Sequence, residues 1–143
     1  VISGKKNEVD ACCLKIKEEL SKKIIILPVS APFHCMLMKP AAEQMKNLIL
    51  NSDFQEPEIP IISNVTAKEE TDKENIKNLL IEQIYSKVRW REIVEFMIKN
   101  KVSEIYELGP GKSLSAMIKR FNTDIVLQNC NSIEEVNKLS KLL

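Results

Sequence analysis

The chain has 143 residues, of which 44% are hydrophobic and 29% charged, about the size of one globular domain. Its net charge is +1, from 21 basic and 20 acidic residues mixed along the chain. Because neither sign is in clear excess, the charge does not indicate nucleic acid or a membrane surface as a partner. No apolar run approaches the ~20 residues of a membrane-spanning helix, and we expect no signal peptide.

Apolar periodicity predicts a succession of strands and helices. In chain order, we predict a strand at 1–3, a helix at 7–21, a buried strand at 22–28, a helix at 39–50, a strand at 57–65, helices at 73–85 and 89–100, a strand at 103–108, a helix at 113–121, a strand at 124–129 and a last helix from Ser132 to about Leu142. Asp72 is a suitable cap for the helix that follows it. Ser132 and Glu135 form an S-x-x-E capping box.

This alternation indicates the fold class. The strands look apolar on both faces, and the chain has only three glycines. We therefore predict an α/β fold with a largely parallel sheet. Ligand sites in such folds lie beyond the carboxyl ends of the strands. His34 and residues 109–111 follow predicted strand ends, Asn64 lies at the end of the strand predicted at 57–65, and all are candidates for such a site.

The segment "YELGPGKS" (106–113) ends like a phosphate-binding P-loop, with GK[ST] between a strand and a helix. A P-loop needs glycine five positions before its last glycine, and that position is Tyr106, whose side chain argues against the tight loop. A GxGxxG motif is also absent, because Lys112 and Ser113 follow Gly111. We interpret the segment as a tight strand-to-helix turn.

The four cysteines lack CxxC spacing and, with one histidine, make a poor zinc set. They are Cys12, Cys13, Cys35 and Cys130. We interpret them as reduced thiols in an intracellular compartment.

His34, the only histidine, lies in "LPVSAPFHCMLMKPAA" (27–42). A lone histidine is more often structural than catalytic, and a catalytic imidazole needs a group to activate and a group to orient it. Cys35 is adjacent, but neighbours in an extended chain point to opposite sides, so it is a weak nucleophile candidate. No GxSxG nucleophile elbow occurs in the 143 residues. Spacing alone leaves a structural and a catalytic histidine both open.

Several segments together resemble the malonyl-CoA:acyl-carrier-protein transacylases. "LPVSAPFHCMLMKPA" resembles the catalytic-histidine segment of that family, approximately V-S-x-P-[SF]-H-[CS]-x-L-M. "VISGKKNEV" resembles the strand and helix before it, and "PIISNV" the strand after it. "LLIEQIYSKVRW" and "YELGPGKSLSAMIKR" resemble the later Q-[LI]-x-x-x-V-x-W and E-[LIV]-G-P-G-K-x-L segments. They occur in family order across nearly the whole chain.

The resemblance implies an α/β-hydrolase-like large subdomain, a parallel sheet with helices on both faces, into which a ferredoxin-like small subdomain is inserted. Residues 1–29 then resemble the closing strand–helix–strand of the small subdomain, and residues 30–143 the carboxyl-terminal part of the large one. We expect the GxSxG serine, the arginine that pairs with the malonyl carboxylate and part of the oxyanion hole to lie outside this chain, which alone is then inactive.

The implied reaction is a double displacement through a malonyl-serine, with His34 as the base in both steps. An imidazole suits this role because its ordinary pKa lies near neutrality. The resemblance assigns the orienting group to the backbone carbonyl of Gln83, a residue that by type alone is a polar position at a helix end. Phe33 matches a position that, in related polyketide acyltransferases, tends to be Phe where malonyl is selected and Ser where methylmalonyl is selected. An aromatic packed against the turn is an equal alternative. Asn64 is a candidate buttress with no catalytic role.

Two other functions stay open: a non-catalytic α/β module that docks acyl carrier protein, and a cysteine hydrolase that uses Cys35. For the transacylase we expect no cofactor and no metal, malonyl-CoA and phosphopantetheinylated acyl carrier protein as substrates, no nucleic acid or membrane partner, and a monomeric intact enzyme. Abundant Lys, Ile and Asn indicate an AT-rich genome. We therefore expect a plastid stroma of a plastid-bearing parasite, or otherwise a bacterial cytoplasm.

Overall fold

The computed structural model describes residues 1–121 and 123–141, which contain both helices and strands. In chain order they form α1 (Lys6–Leu20), a 3-10 turn (Met36–Met38), α2 (Lys39–Asn51), β1 (Ile61–Ile62), β2 (Glu69–Glu70), α3 (Lys73–Gln83), α4 (Trp90–Lys99), β3 (Glu104–Leu108), α5 (Ser113–Ile118), β4 (Val126–Cys130) and α6 (Ile133–Leu139). The chain divides into two compact units, Val1–Trp90 and Arg91–Leu143. None of the helices in the described part combines the length and apolarity that a membrane span requires.

In the first unit, α2 packs against α3. Ala42 of α2 and Ile76 and Ile81 of α3 are buried. Lys77 is buried as well, and its Nζ donates to the carbonyl of Leu50 at 3.1 Å. Carbonyls in the last turn of a helix have no partner within the helix, so Lys77 supplies one to α2 while its own charge remains hydrogen-bonded.

A short antiparallel pair completes this unit. Ile61 faces Glu70 and Ile62 faces Glu69, and the connection is closed by a hydrogen bond from the Ser63 N–H to the Lys68 carbonyl at 3.0 Å. The tight connection places Asn64 two residues after the end of β1, where the chain turns back.

In the second unit, β3 and β4 are parallel, with Glu104 opposite Val126 and Leu108 opposite Cys130. A parallel pair needs a crossover connection, and α5 lies within it. Ile93, Val94 and Ile118 are almost completely buried, with exposed fractions of 4% or less. The helix predicted at 89–100 is thus confirmed as α4, which buries Ile93 and Val94.

The turn between β3 and α5 has the form that the sequence predicts. Gly109 and Gly111 have φ of 125° and 100°, values that side chains with a Cβ rarely adopt. The carboxylate of Glu107 accepts hydrogen bonds from the N–H of Leu114, from the N–H and hydroxyl of Ser115 and from the Asn129 amide. A protein carboxylate therefore occupies the amino end of α5.

Two of the predicted caps are confirmed. The Asp72 carboxylate accepts from the Asn75 N–H at 2.6 Å, and the Ser132 hydroxyl accepts from the Glu135 N–H at 3.3 Å. The Glu135 carboxylate reaches back to the Asn131 N–H at 2.5 Å, one residue before the position that a capping box usually satisfies. The predicted end of α6 at Leu142 lies outside the described residues.

Two predicted strands are wrong within the described residues. Residues 1–3 and 22–28 carry no strand pairing. Ile25, Ile26 and Leu27 are 72%, 80% and 52% exposed, whereas the apolar run predicted a buried strand. A strand is stable only beside a partner that satisfies its N–H and C=O groups, and no described segment pairs with this run.

The predicted sheet needs a further correction. The strand predicted at 57–65 is shortened to β1 by Pro57 and Pro60, which cannot donate to a ladder, and its pairing is antiparallel. The described strands form one antiparallel and one parallel pair, where the sequence predicted a largely parallel sheet. Helices 73–85 and 113–121 also end earlier than predicted, at Gln83 and Ile118.

Glu107 makes acid stability testable in the second unit. Its hydrogen bonds, first the one from the Ser115 hydroxyl, lower the pKa of the Glu107 carboxyl below its ordinary value of 4.5. A group with a lowered pKa in the folded state stabilises the fold above its unfolded-state pKa, and that stabilisation is lost as the pH falls through the folded-state pKa.

We expect Glu107→Gln to lower the midpoint of thermal unfolding at pH 7, and the difference from the wild type to shrink below pH 4.5. Glu104→Gln is the control, because Glu104 lies on the same strand, is exposed and accepts a hydrogen bond from the Gln128 amide. A Glu107→Gln deficit that stayed constant down to acid pH would contradict the assignment.

Candidate functional site

His34 lies in a turn that leads into α2. The thiol of Cys35 donates to the Pro32 carbonyl at 3.1 Å, and the Met38 N–H donates to the Cys35 carbonyl at 2.9 Å, closing the 3-10 turn. Pro40 stands in the first turn of α2, where the helix needs no N–H from it. His34 itself has φ of +60°. This left-handed conformation is uncommon for a residue with a Cβ, and histidine is one of the residue types that adopt it more often than most.

The imidazole of His34 contacts the end of α3. Its Nδ1 lies 3.1 Å from the carbonyl oxygen of Gln83, a residue 49 positions further along the chain. Gln83 is the last residue of α3, and the carbonyls of the last helical turn are not used by the helix ladder. The end of the helix therefore presents an acceptor to the imidazole.

This contact determines where the proton of the neutral ring lies. A carbonyl oxygen can only accept, so Nδ1 must carry the hydrogen in this hydrogen bond. The neutral imidazole then has a free lone pair on Nε2, which can accept a proton from another group. His34 is exposed, so Nε2 is accessible to a nucleophile or substrate. The geometry is that of a histidine oriented to act as a base.

The side chain of Gln83 is also held. Its Oε1 accepts from the Nδ2 of Asn64 at 3.1 Å, while the carbonyl of Asn64 accepts from the Arg89 N–H at 3.0 Å. Asn64 and Gln83 also line an open cleft of about 160 Å³ between β1 and α3. The structure therefore brings three candidates together: His34, Gln83 and Asn64.

The other candidate residues take no part in the hydrogen bonds among His34, Gln83 and Asn64. Phe33 is 46% exposed, so it is not buried against the turn, and its selectivity role stays a prediction. The Cys35 thiol is partly buried and bonded to Pro32. Residues 109–111 form the turn of the second unit. Among residues 1–121 and 123–141, no group of three His, Cys, Asp or Glu side chains could hold a metal ion.

The bond between Asn64 and Gln83 does not follow from the sequence. The sequence marks Asn64 only as a polar residue at a strand end and Gln83 only as a polar residue at a helix end. Neither position carries a spacing signal, since the two residues are 19 positions apart and meet through the fold.

The sequence is similar to curated transacylases. It is 38% identical over 143 residues to a malonyl CoA-acyl carrier protein transacylase of Haemophilus influenzae, covering 100% of this chain and 46% of the relative. It is 44% identical over 122 residues to the protein of that name from Bacillus subtilis, covering 85% of this chain and 38% of the relative. The chain thus spans less than half the length of these curated relatives. No protein-family model matches it.

Solved structures agree. The crystal structure of an acyl carrier protein S-malonyltransferase from Vibrio cholerae matches with a TM-score of 0.85 and 39% identity, over 95% of this chain and 44% of that one. A type II PKS acyl-carrier protein in complex with its malonyl-transacylase gives a TM-score of 0.86 and 32% identity, over 98% of this chain and 45% of the matched chain.

Proposed function

Because this chain is homologous over its full length to the carboxyl-terminal portion of the malonyl-CoA:acyl-carrier-protein transacylases, we propose that it carries the general base of such an enzyme. The observation that supports this most directly is the 3.1 Å contact between Nδ1 of His34 and the Gln83 carbonyl. It leaves Nε2 free in the neutral ring, at the histidine whose surrounding sequence resembles the catalytic segment of the family. The intact protein then moves the malonyl group from malonyl-CoA to the thiol of acyl carrier protein.

In the first half-reaction, a serine outside these 143 residues attacks the malonyl thioester. Nε2 of His34 takes the proton from the serine hydroxyl as its oxygen bonds to the thioester carbon. The carbon–sulfur bond then breaks, and the CoA thiolate leaves with the proton that His34 returns. The products are a malonyl-serine ester and free CoA, and the imidazole is neutral again.

In the second half-reaction, the phosphopantetheine thiol of acyl carrier protein occupies the place that CoA has left. His34 takes the thiol proton, and the thiolate attacks the malonyl-serine ester. The serine oxygen leaves and recovers the proton from the imidazolium. One base thus serves two reactions of opposite direction, which requires a ring that accepts and donates at the same nitrogen.

We further propose that Phe33 contributes to the choice of malonyl over larger acyl groups. It is the residue before His34 and is 46% exposed, so its side chain can contact an acyl group next to the imidazole. The proposed protein partner is acyl carrier protein. Support comes from the solved complex of an acyl-carrier protein with its malonyl-transacylase, whose matched chain aligns with 98% of this chain.

A transfer assay with two forms of the carrier tests the function. We expect the intact protein to move labelled malonyl from malonyl-CoA to phosphopantetheinylated acyl carrier protein, detected by mass spectrometry of the carrier. The matched control is the same carrier without phosphopantetheine, which lacks the accepting thiol and should stay unlabelled. If the intact protein bound both carrier forms but transferred malonyl to neither, the non-catalytic docking module would be the correct function.

A further inference from the structure

We propose that Asn64 is a positioning residue of this site: its side-chain amide holds Gln83 and, through the Gln83 carbonyl, keeps the His34 proton on Nδ1. This proposal rests on the proposed function, because it explains how the base is kept ready. It adds a residue whose side chain acts on the imidazole through Gln83.

Gln83 is bonded at two points, and the two bonds point in different directions. Its main-chain oxygen meets Nδ1 of His34 at 3.1 Å, and its side-chain Oε1 meets Nδ2 of Asn64 at 3.1 Å. The helix tightens at this end, where the Ile84 N–H bonds to the Ile81 carbonyl at 3.3 Å. Helix ends fray readily, so a side-chain bond at the last residue restrains the carbonyl that the imidazole uses.

Asn64 is itself a well-fixed anchor. It follows Ser63, whose N–H bonds to the Lys68 carbonyl at 3.0 Å and whose carbonyl accepts from the Ala67 N–H at 2.9 Å. The Asn64 carbonyl accepts from the Arg89 N–H at 3.0 Å. Hydrogen bonds therefore restrain the backbone at Asn64 and at the residue before it. The Asn64 amide is held in place and can restrain the end of α3.

The consequence for the chemistry concerns the tautomer of His34. The ring is exposed, so water competes for Nδ1 whenever the carbonyl moves away. In the other tautomer the proton is on Nε2, and that nitrogen cannot accept a proton from a nucleophile. Loss of the Asn64 bond is thus expected to lower the fraction of molecules with a usable base without removing the base itself.

The tautomer can be measured directly because His34 is the only histidine of the chain. In the 143-residue chain with ¹⁵N-labelled histidine, NMR of the ring nitrogens above neutral pH should show the proton on Nδ1 in the wild type. Asn64→Ala should give a mixture of tautomers, and Gln83→Met, which removes the same bond from the side of α3, should give the same mixture. Gln83→Glu should keep the proton on Nδ1, because a carboxylate oxygen can accept from Asn64.

The matched control is Asn78→Ala. Asn78 is an exposed asparagine of α3, and its amide donates to the Glu74 carbonyl at 2.9 Å. Removing this side chain should leave the His34 tautomer unchanged. Circular dichroism reports whether each variant is folded, and Gln83→Met replaces Asn64→Ala if the latter unfolds. Three results would each overturn the proposal. The first is a folded Asn64→Ala or Gln83→Met variant that keeps the proton on Nδ1. The others are a tautomer change in Asn78→Ala as large as in Asn64→Ala, and a wild type protonated on Nε2.

Kinetics of the intact enzyme give a second readout. Asn64→Ala and Gln83→Met should each lower kcat by about 2- to 10-fold, the effect of one hydrogen bond, with little change in KM. The double variant should lose no more than either single one, since both remove the same bond. Additive losses would overturn the proposal. The tautomer measurement contains no substrate, so an absence of malonyl transfer by the unmodified protein would contradict the proposed function and not this positioning role.

Discussion

Replacing His34 with alanine in the intact protein is expected to slow malonyl transfer by roughly 10²- to 10⁴-fold, the usual contribution of a general base. Both half-reactions need a proton to be taken from a weak nucleophile, a serine hydroxyl first and a thiol second. Without the imidazole, water is the remaining proton acceptor. The loss should appear in kcat and in kcat/KM, because the base acts in the transition state.

Gln83→Ala should behave very differently, although both residues belong to the same contact. The oxygen 3.1 Å from Nδ1 of His34 is a main-chain atom, so alanine at position 83 retains it. What alanine removes is the side-chain bond to Asn64. We therefore expect a loss of less than ~10-fold, the size of one hydrogen bond that restrains the helix end.

The comparison is valid only between folded variants, so circular dichroism and the unfolding midpoint of both must match the wild type. Asn78→Ala again serves as a control for a change on α3 away from the site. A folded Gln83→Ala variant as slow as His34→Ala would show that the Gln83 side chain has a catalytic role of its own. An almost fully active His34→Ala variant would remove His34 from the mechanism.

The parts of the fold that sequence predicted correctly are local. Asp72 caps α3 through the N–H of Asn75, and Ser132 caps α6 through that of Glu135. Both bonds connect residues three positions apart, so the residue types at that spacing suffice to predict them. The Gly-Pro-Gly turn is of the same kind, since the positive φ of Gly109 and Gly111 depends on the absence of a Cβ.

The parts that failed depend on pairing. The aliphatic run at Ile24–Ile26 has the composition of a buried strand, but composition does not name the partner strand, and in the described structure Ile25 and Ile26 are exposed. β2 is not predicted at all, because Glu69–Glu70 is a polar dipeptide without a strand signal. The antiparallel pairing of β1 is therefore missed as well. Pairing is a tertiary property, so propensity alone does not determine it.

The candidate site also has features that the sequence predicts and features that only the fold determines. The residue type and surroundings of His34 could be read from the sequence, and the family resemblance implied Gln83 as its partner. The φ of +60° at His34 could not be read, because it results from the turn that the Cys35 thiol and the Met38 N–H close. The bond from Asn64 to Gln83 could not be read from the sequence either, since no periodicity connects a loop amide to a helix end 19 residues away.

The second large effect concerns covalent labelling. The 143-residue chain alone, incubated with labelled malonyl-CoA, is expected to form no stable malonyl adduct. The reaction proposed here needs a nucleophilic serine, and no GxSxG elbow occurs in the 143 residues. A base without a nucleophile cannot form an acyl-enzyme. The Cys35 thiol is adjacent to His34, but it donates to the Pro32 carbonyl at 3.1 Å, so the structure shows it bonded within its own turn.

Mass spectrometry of the intact chain, followed by peptide mapping, measures this directly. Adding the serine-bearing amino-terminal portion of the transacylase should produce one malonyl group per complex, located on that portion. The control is the same mixture with His34→Ala, in which labelling should be slower by the factor expected for the base. Stoichiometric label on an oxygen within residues 1–143 would contradict the need for an outside serine. Label that alkylation of Cys35 abolishes would instead identify the chain as a cysteine acyltransferase or hydrolase, with His34 as the base for a thiol.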